Sequence, residues 1–194
     1  SNDTATAAVK GPLSAAKYRH GATGNASFGY FGGGFAPNKS SVDRIDYSND
    51  TATASPKGPL SLARFNPSAS SSRANAIPLK GPGNLEVPVL FGAFSVSTPQ
   101  GTDFGYFAGG FDPSVSSSVS RIDYANDSAN ASPKGPLTLA RGYSGSTGSA
   151  THGYFAGGNA PAGTRYTTID RITYANDTVD AVTKGNYNHP SNQL

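Results

Sequence analysis

Three arginines recur at one position of a repeated run and are the first candidates for chemistry in this chain. They are Arg44, Arg121 and Arg171, and the tyrosines that close the same runs are Tyr47, Tyr124 and Tyr174. Converging arginines could bind an acidic sugar in a glycan-cleaving site, because guanidinium groups pair with carboxylates. A residue that recurs in every unit more commonly braces neighbouring units, so we predict a structural role and no catalytic residue. The expected acidic partners are Asp43, Asp46, Asp123 and Asp170.

Metal and cofactor chemistry have little support in the residue content. The chain has no cysteine, which excludes a thiolate zinc site, and its three histidines are at positions 20, 152 and 189. Aspartates near the turns, Asp46 with Asp50 and Asp123 with Asp127, could hold calcium. Capping of the turns is the interpretation that we favour, and we expect neither a metal nor a cofactor.

Asparagines of the Asn-x-Ser/Thr type have two interpretations. In a secreted protein they are acceptors for N-glycosylation, whereas the pair Asn-Asp is also common turn chemistry. We favour the turn. The candidate acceptors are Asn2, Asn25, Asn38, Asn49, Asn126, Asn130 and Asn176.

The spacing of these runs reveals a tandem repeat. The sequence SNDTATAAVKGPL begins the chain, and related copies begin at residues 48, 125 and 175. Asparagine and lysine are eight residues apart in all four copies. Before three of the copies come a V/I-x-R-I-x-Y run and, further upstream, a GYF-G/A-GG run. The second residue after the aromatic pair is a glycine in all three runs: Gly33, Gly109 and Gly157.

The composition favours short strands over helices. The chain has 24 glycines and 14 prolines, and only 14% of its residues are charged, so residues that stabilise exposed helices are scarce. Each unit offers four candidate strands: the GYF run, the RIDY run, the TATASPK run and the LSLAR run. We predict an all-β fold of four-stranded antiparallel units. The tyrosines of the GYF runs either line a sugar-binding surface or, as we favour, pack between sheets with bonded hydroxyls: Tyr30, Tyr106 and Tyr154.

The chain is predicted to be a single repeat domain over residues 1–194, with one divergent insert. We measured the interval from the basic residue that ends each LSLAR-type run to the tyrosine of the next GYF run. This interval is 42 residues from Arg64 to Tyr106, but 13 residues from Lys17 to Tyr30. We place the units at about 1–24, 25–67, 101–148 and 149–187, and the insert at about 68–100. The segment 89–95 within it is a candidate worn copy of the GYF run. We expect the insert to replace a missing unit or to form a contact between chains.

The order of the motifs resembles the kelch repeat, in which an aromatic strand with a glycine pair precedes a polar-aromatic strand and a Pro-Leu...Ala-Arg segment. Tyr30-Phe31 with Gly32-Gly33, the run 44–47 and the segment 58–64 match that order, although the tryptophan of kelch units is absent. The resemblance implies a β-propeller with the units as blades, either a small ring or an open array completed by neighbouring chains.

The near-verbatim, Ser/Thr-rich repeats also resemble those of phage tail-fibre and environmental virion proteins. We therefore expect a non-catalytic structural component of an extracellular fibre or phage tail appendage, on an extracellular or virion surface, as a homo-oligomer. The alternative is a kelch-type module that binds a surface glycan, a host receptor or another protein; a glycan-active propeller enzyme is the third class. Without a basic run or a long apolar segment, we expect neither nucleic acid nor a membrane as partner.

Overall fold

The computed structural model describes residues 7–35, 37–72 and 104–188. They form three four-stranded antiparallel sheets and one short hairpin, which confirms the all-β prediction. None of the helices in these ranges has the length and apolar character to cross a membrane. Each sheet contains, in order, a short Gly/Ser-rich strand, the GYF or GYFA run, the arginine run and the outer Ser-Pro-Lys or Val-Thr-Lys strand.

The bounds of the strands follow the repeat closely. Sheet I contains β1 (Gly21–Gly24), β2 (Phe28–Gly32), β3 (Val42–Asp46) and β4 (Ser55–Lys57). Sheet II begins with β5 (Ser68–Ser71) and β6 (Phe104–Ala108), which precede a separate hairpin of β7 (Phe111–Asp112) and β8 (Ser114–Val115). Sheet II continues with β9 (Val119–Asp123) and β10 (Ser132–Lys134). Sheet III contains β11 (Gly145–Gly148), β12 (His152–Ala156), β13 (Thr168–Thr173) and β14 (Val182–Asn186).

A short 3₁₀ turn follows the third strand of every sheet. These turns are Tyr47–Asn49, Tyr124–Asn126 and Tyr174–Asn176, and a fourth, Pro161–Gly163, lies between β12 and β13. Asp46 and Asp123 cap the first two, since each side chain accepts a hydrogen bond from a backbone N–H two residues later. Capping, which we favoured from sequence, is therefore confirmed for Asp46 and Asp123, whereas Asp50 and Asp127 form ion pairs with basic side chains.

The sheets stack face to face because both faces of their middle strands are apolar. In β6, Tyr106 packs towards sheet III and its neighbour Phe107 packs towards sheet I. One core joins Tyr30 and Val42 of sheet I to sheet II, and the other joins sheet II to Phe155 of sheet III. Burial of each such side chain contributes roughly 1.5–3 kcal/mol, so stacking stabilises sheets that would be marginal alone.

The first strands of the three sheets lie side by side and are tied by hydroxyl groups. Thr23 Oγ1 donates to the Ser70 carbonyl over 3.1 Å, and Ser70 Oγ donates to the Thr147 carbonyl over 3.0 Å. Each sheet is thus attached to the next at its inner edge as well as through its faces.

The LSLAR run is not a strand, contrary to the prediction. Residues 58–67 cross between sheets as irregular chain because the Arg64 side chain turns inward, where it is fully buried. Asn66 then takes a left-handed φ of 49°, which breaks an extended conformation. The next strand starts at Ser68, so β5 belongs to sheet II and not to the insert. The rest of the insert, with the candidate copy at 89–95, lies outside the described residues.

The backbone conformation explains why a glycine recurs at the second residue after each aromatic pair. The φ angles of Gly33, Gly109 and Gly157 are 73°, 68° and 66°. These values lie in the left-handed region, where a side chain would be strained. The chain therefore leaves the second strand of each sheet through the same glycine turn.

Candidate functional site

The aspartates that follow the 3₁₀ turns of sheets II and III each collect three donors from the preceding sheet. Asp127 accepts a hydrogen bond from the Tyr30 hydroxyl at 2.9 Å and forms ion pairs with Arg44 at 2.7 Å and Lys57 at 3.2 Å. This cluster joins sheet I to sheet II. A carboxylate with three donors is well satisfied, which is the condition under which buried charge is tolerated.

The same cluster recurs between sheets II and III. Asp177 accepts from the Tyr106 hydroxyl at 2.8 Å and pairs with Arg121 at 2.8 Å and Lys134 at 3.2 Å. We name the donor set of tyrosine, arginine and lysine the cationic half, and the aspartate with the preceding turn tyrosine the acidic half. Each internal interface contains one of each.

The partners of the arginines differ from those expected. Arg44 lies opposite Tyr30 in the β2–β3 register, so its side chain points with that ring to sheet II and meets Asp127. Asp43 is the next residue along the strand and its side chain lies on the other face, where it binds Lys17 at 3.2 Å. The alternation of strand side chains thus separates Arg44 from the aspartate beside it in sequence.

Aromatic rings surround each cluster. The Tyr30 ring stacks on Tyr124 with centroids 4.7 Å apart, and Tyr106 stacks on Tyr174 at the same distance. The guanidinium of Arg44 lies 4.3 Å from the ring centroid of Phe28. These contacts add cation–π and stacking energy to the ion pairs. Packing of the GYF tyrosines between sheets is confirmed at Tyr30 and Tyr106.

The buried tyrosines have raised pKa values. Burial raises the pKa of Tyr30 and Tyr106, and the hydrogen bonds to Asp127 and Asp177 raise it further, because a phenolate beside a carboxylate is unfavourable. Burial raises the pKa of Tyr174 to about 12. At neutral pH all three side chains are therefore hydrogen-bonding phenols.

These tyrosines predict alkaline instability. A pKa above the unfolded value of about 10 means that stability is complete below pH 10 and is lost as the pH rises towards 12. We expect the urea midpoint to fall across this window. Ionisation followed by absorbance should be delayed until unfolding, and the Tyr174→Phe variant should lose less stability between pH 10 and 12. A midpoint that is constant to pH 12 would contradict this prediction.

A second basic position, at the end of the LSLAR run, is the buried brace within each sheet. Arg141 donates to the carbonyls of Gly157 and Thr168 and pairs with Asp170 at 3.1 Å, and both charged side chains are fully buried. Burial lowers the pKa of Arg141. Arg64 and Lys17 have the corresponding place in sheets II and I. Sequence reasoning missed this role, although the constant interval of seven residues after the repeat lysine marked the position.

The Gly-Pro step docks each linker onto the following sheet. The Gly58 N–H donates to the Asp127 carbonyl, and the Pro59 carbonyl accepts from Ala131, each over 2.8 Å. A Cβ on Gly58 would lie 1.7 Å from the Ala129 carbonyl oxygen, so only glycine fits. The N-terminal segment docks on sheet I in the same way through Gly11 and Pro12.

Among the described residues, the outer face of sheet III has a cationic half without an acidic half. It contains Tyr154, Arg171 and Lys184, at the positions of the donors in the internal clusters. Within the described part of the chain, the buried Arg171 Nε has no hydrogen-bond partner. The outer face of sheet I has the converse set: Tyr47 is 52% exposed, whereas Tyr124 is 7% exposed. There Asp50 pairs with Lys10 at 3.1 Å.

Two further surfaces could contact a ligand. A cleft of about 240 Å³ lies where the inner strands end, between Thr23, Ser70 and Thr147, and also contacts Asn25 and Tyr47. A row of rings crosses the opposite ends of these strands, with neighbouring centroids 5.0 to 5.5 Å apart. The row consists of Tyr18, Phe35, Phe65, Phe111 and Tyr143.

The other candidate residues are dispersed. The candidate acceptors that lie exposed are Asn49, Asn126, Asn130 and Asn176. Asn25 accepts hydrogen bonds from the backbone of residues 27 and 28, Asn38 donates to Asp112, and Asn2 lies outside the described residues, as does His189. His20 packs on Phe31, and His152 bonds Thr151. No group of three potential metal ligands occurs among the residues that the structure describes.

No family model and no curated protein matches the chain. The kelch resemblance therefore stays a prediction from the motifs. In the structure, the repeated arginines, tyrosines and lysines of sheets I and II bind aspartates of the next sheet and so form the interfaces between sheets.

Proposed function

We propose that this protein is a non-catalytic structural component of an extracellular fibre or phage tail appendage. In this proposal its sheets are blades of a propeller-like array that neighbouring chains complete. The observation that carries it is the pair of outer faces, one cationic half on sheet III and one acidic half on sheet I. Together they are the two parts of an interface that already occurs twice within the chain.

A non-catalytic role is supported by the partners of the repeated arginines, which are the candidate reactive groups. Arg44 and Arg121 are engaged by Asp127 and Asp177, and do not meet in one pocket. An enzyme that binds an acidic sugar would need arginines free to contact it. Here their geometry supports the bracing of stacked sheets.

The outer faces also contain apolar surface that stacking would bury. Phe31 and Ile45 of sheet I are half-buried, whereas Phe107 and Ile122 at the same positions of sheet II are almost completely buried. Head-to-tail contact between unlike faces produces closed rings or open filaments, depending on the rotation per chain. Both are consistent with a fibre component.

We expect the purified chain to associate. Sedimentation velocity should show a mass that rises with concentration, because each copy presents both halves of the interface. Electron microscopy of the same samples should then distinguish closed rings from filaments. A chain that stays monomeric up to its solubility limit would contradict the proposal.

A kelch-type binding module is the second candidate, supported by the row of rings and by Arg19 beside it. The Arg19 guanidinium lies 5.6 Å from the Tyr18 ring centroid, and Tyr18 is half exposed. Aromatic rings with a polar neighbour are typical of binding surfaces. A monomer that binds members of a glycan array would favour this function over assembly.

A further inference from the structure

We propose that Asp50 of one copy binds Arg171 and Tyr154 of a second copy, and that residues 8–10 replace the outer strand of that copy's sheet III. This inference rests on the proposed function and identifies the contact through which assembly occurs. Three observations support it: the register of the donors on sheet III, the partners of Asp50, and the overlap that would arise between residues 8–10 of one copy and residues 182–184 of the other.

The donors on sheet III have the register of the internal clusters. Tyr154 pairs with Arg171 across β12 and β13, as Tyr30 pairs with Arg44 and Tyr106 with Arg121. A tyrosine hydroxyl and a guanidinium are thus held on the same face, at the spacing that binds a carboxylate twice elsewhere in the chain. Arg44 and Arg121 bind their aspartates through Nη1, and Arg171 has no acidic partner of this kind among the described residues of the single copy.

Asp50 has the position of Asp127 and Asp177 but, in the part of the chain that the structure describes, it has one of their three partners. Lys10 occupies the place of Lys57 and Lys134, since each of these lysines follows its repeat asparagine by eight residues. Sheet I uses its own Tyr30 and Arg44 to bind Asp127 on its other face, so no described arginine or tyrosine hydroxyl binds Asp50. A second copy supplies both from sheet III, and its Tyr154 ring then stacks on the exposed Tyr47 as Tyr30 stacks on Tyr124.

Two segments compete for one place in this contact. By the spacing of the repeat, residues 8–10 of one copy coincide with residues 182–184 of the other, because both correspond to β4 of sheet I. Only one can form the outer strand beside β13. The docked complex must therefore displace either the N-terminal segment or β14.

The contacts favour displacement of β14. The N-terminal segment is anchored by the backbone of Gly11 and Pro12 and by Lys17, whose amino group is buried against Asp43. In contrast, every residue of β14 is exposed, and its register with β13 shifts between Ile169 and Asp170. Val9, which is 96% exposed in the single copy, would gain a strand partner. Strand exchange between copies of this kind is a low-cost route to assembly.

Charge reversal tests the contact. We expect Asp50→Arg and Arg171→Asp each to weaken association by about 30-fold or more, because a buried interfacial ion pair becomes a like-charge contact. An equal mixture of the two variants should recover association, since each contact then joins opposite charges again. The matched controls are Asp180→Arg and Arg165→Asp, at exposed positions that belong to neither the cationic nor the acidic half, and should associate like the parent chain.

Hydrogen exchange tests the strand replacement. On association, the amides of residues 8–10 should gain protection and those of 182–186 should lose it. The opposite pattern would overturn the exchange of strands. Association that survives both charge reversals would overturn the whole inference while leaving the proposed function intact, whereas a parent chain that never associates would overturn the proposed function itself.

Discussion

Arg141→Ala is expected to lower the free energy of unfolding by about 3–5 kcal/mol, because it leaves the Asp170 carboxylate buried without its charged partner. Both side chains are fully buried, and Arg141 also satisfies the carbonyls of Gly157 and Thr168. The Gly157 carbonyl would lose the guanidinium donor, and the Thr168 carbonyl would retain the Gly157 N–H alone, in a site that water reaches poorly. Urea unfolding followed by circular dichroism measures the loss.

Arg165→Ala is the matched control for this variant. Arg165 is exposed and lies in the same sheet region, so its loss should change the unfolding free energy by less than about 0.5 kcal/mol. A variant that replaces both Arg141 and Asp170 by apolar residues should be more stable than Arg141→Ala alone. Equal stability of Arg141→Ala and the control would show that the buried pair is not a brace.

Asp177→Ala is expected to cost about 2–4 kcal/mol, since one carboxylate satisfies three donors at the interface of sheets II and III. The Arg121 and Lys134 cations would then face each other without an anion, and the Tyr106 hydroxyl would lose its acceptor. Because the carboxylate raises the pKa of Tyr106, its removal should also shift that pKa downward. Unfolding experiments and tyrosine absorbance measure the two effects separately.

Asp180→Ala is the control in the same turn region, because Asp180 is exposed. It should leave both the unfolding free energy and the titration of Tyr106 unchanged within error. If Asp177→Ala behaves like Asp180→Ala, the interface is held by its apolar core alone and the carboxylate cluster is incidental.

The sequence was sufficient for three of the four strands in each sheet, but the predicted unit bounds divide the sheets, since residues 21–24 and 145–148 were placed in the preceding unit. Spacing identified the repeat, and the Tyr-Phe and Arg-Ile runs became β2 and β3 because their β-propensity and alternation agree with two-sided burial. The first strand was missed. Gly21–Gly24 and Ser68–Ser71 lack an apolar pattern, since their hydroxyls and backbones, not apolar side chains, join neighbouring sheets.

The partners within the site could not be predicted from the sequence. Asp43 is adjacent to Arg44 and was the obvious acceptor, whereas Asp127 is 83 residues away. Choosing between them requires the face of each side chain and the order in which sheets stack. The strand prediction for the LSLAR run was wrong for a related reason, because the sequence does not show that the Arg64 side chain turns inward and is buried.

The clusters at Asp127 and Asp177 also bear on how such a gene can change length. Each unit contributes donors to the unit after it and an acceptor to the unit before it, so every unit contains one complete set. Duplication or deletion of a whole unit would leave matched partners at the new junction, with no compensating substitution. Recombination between near-identical repeats can therefore lengthen or shorten the protein in single steps, while a change within one cluster must be matched in its neighbour.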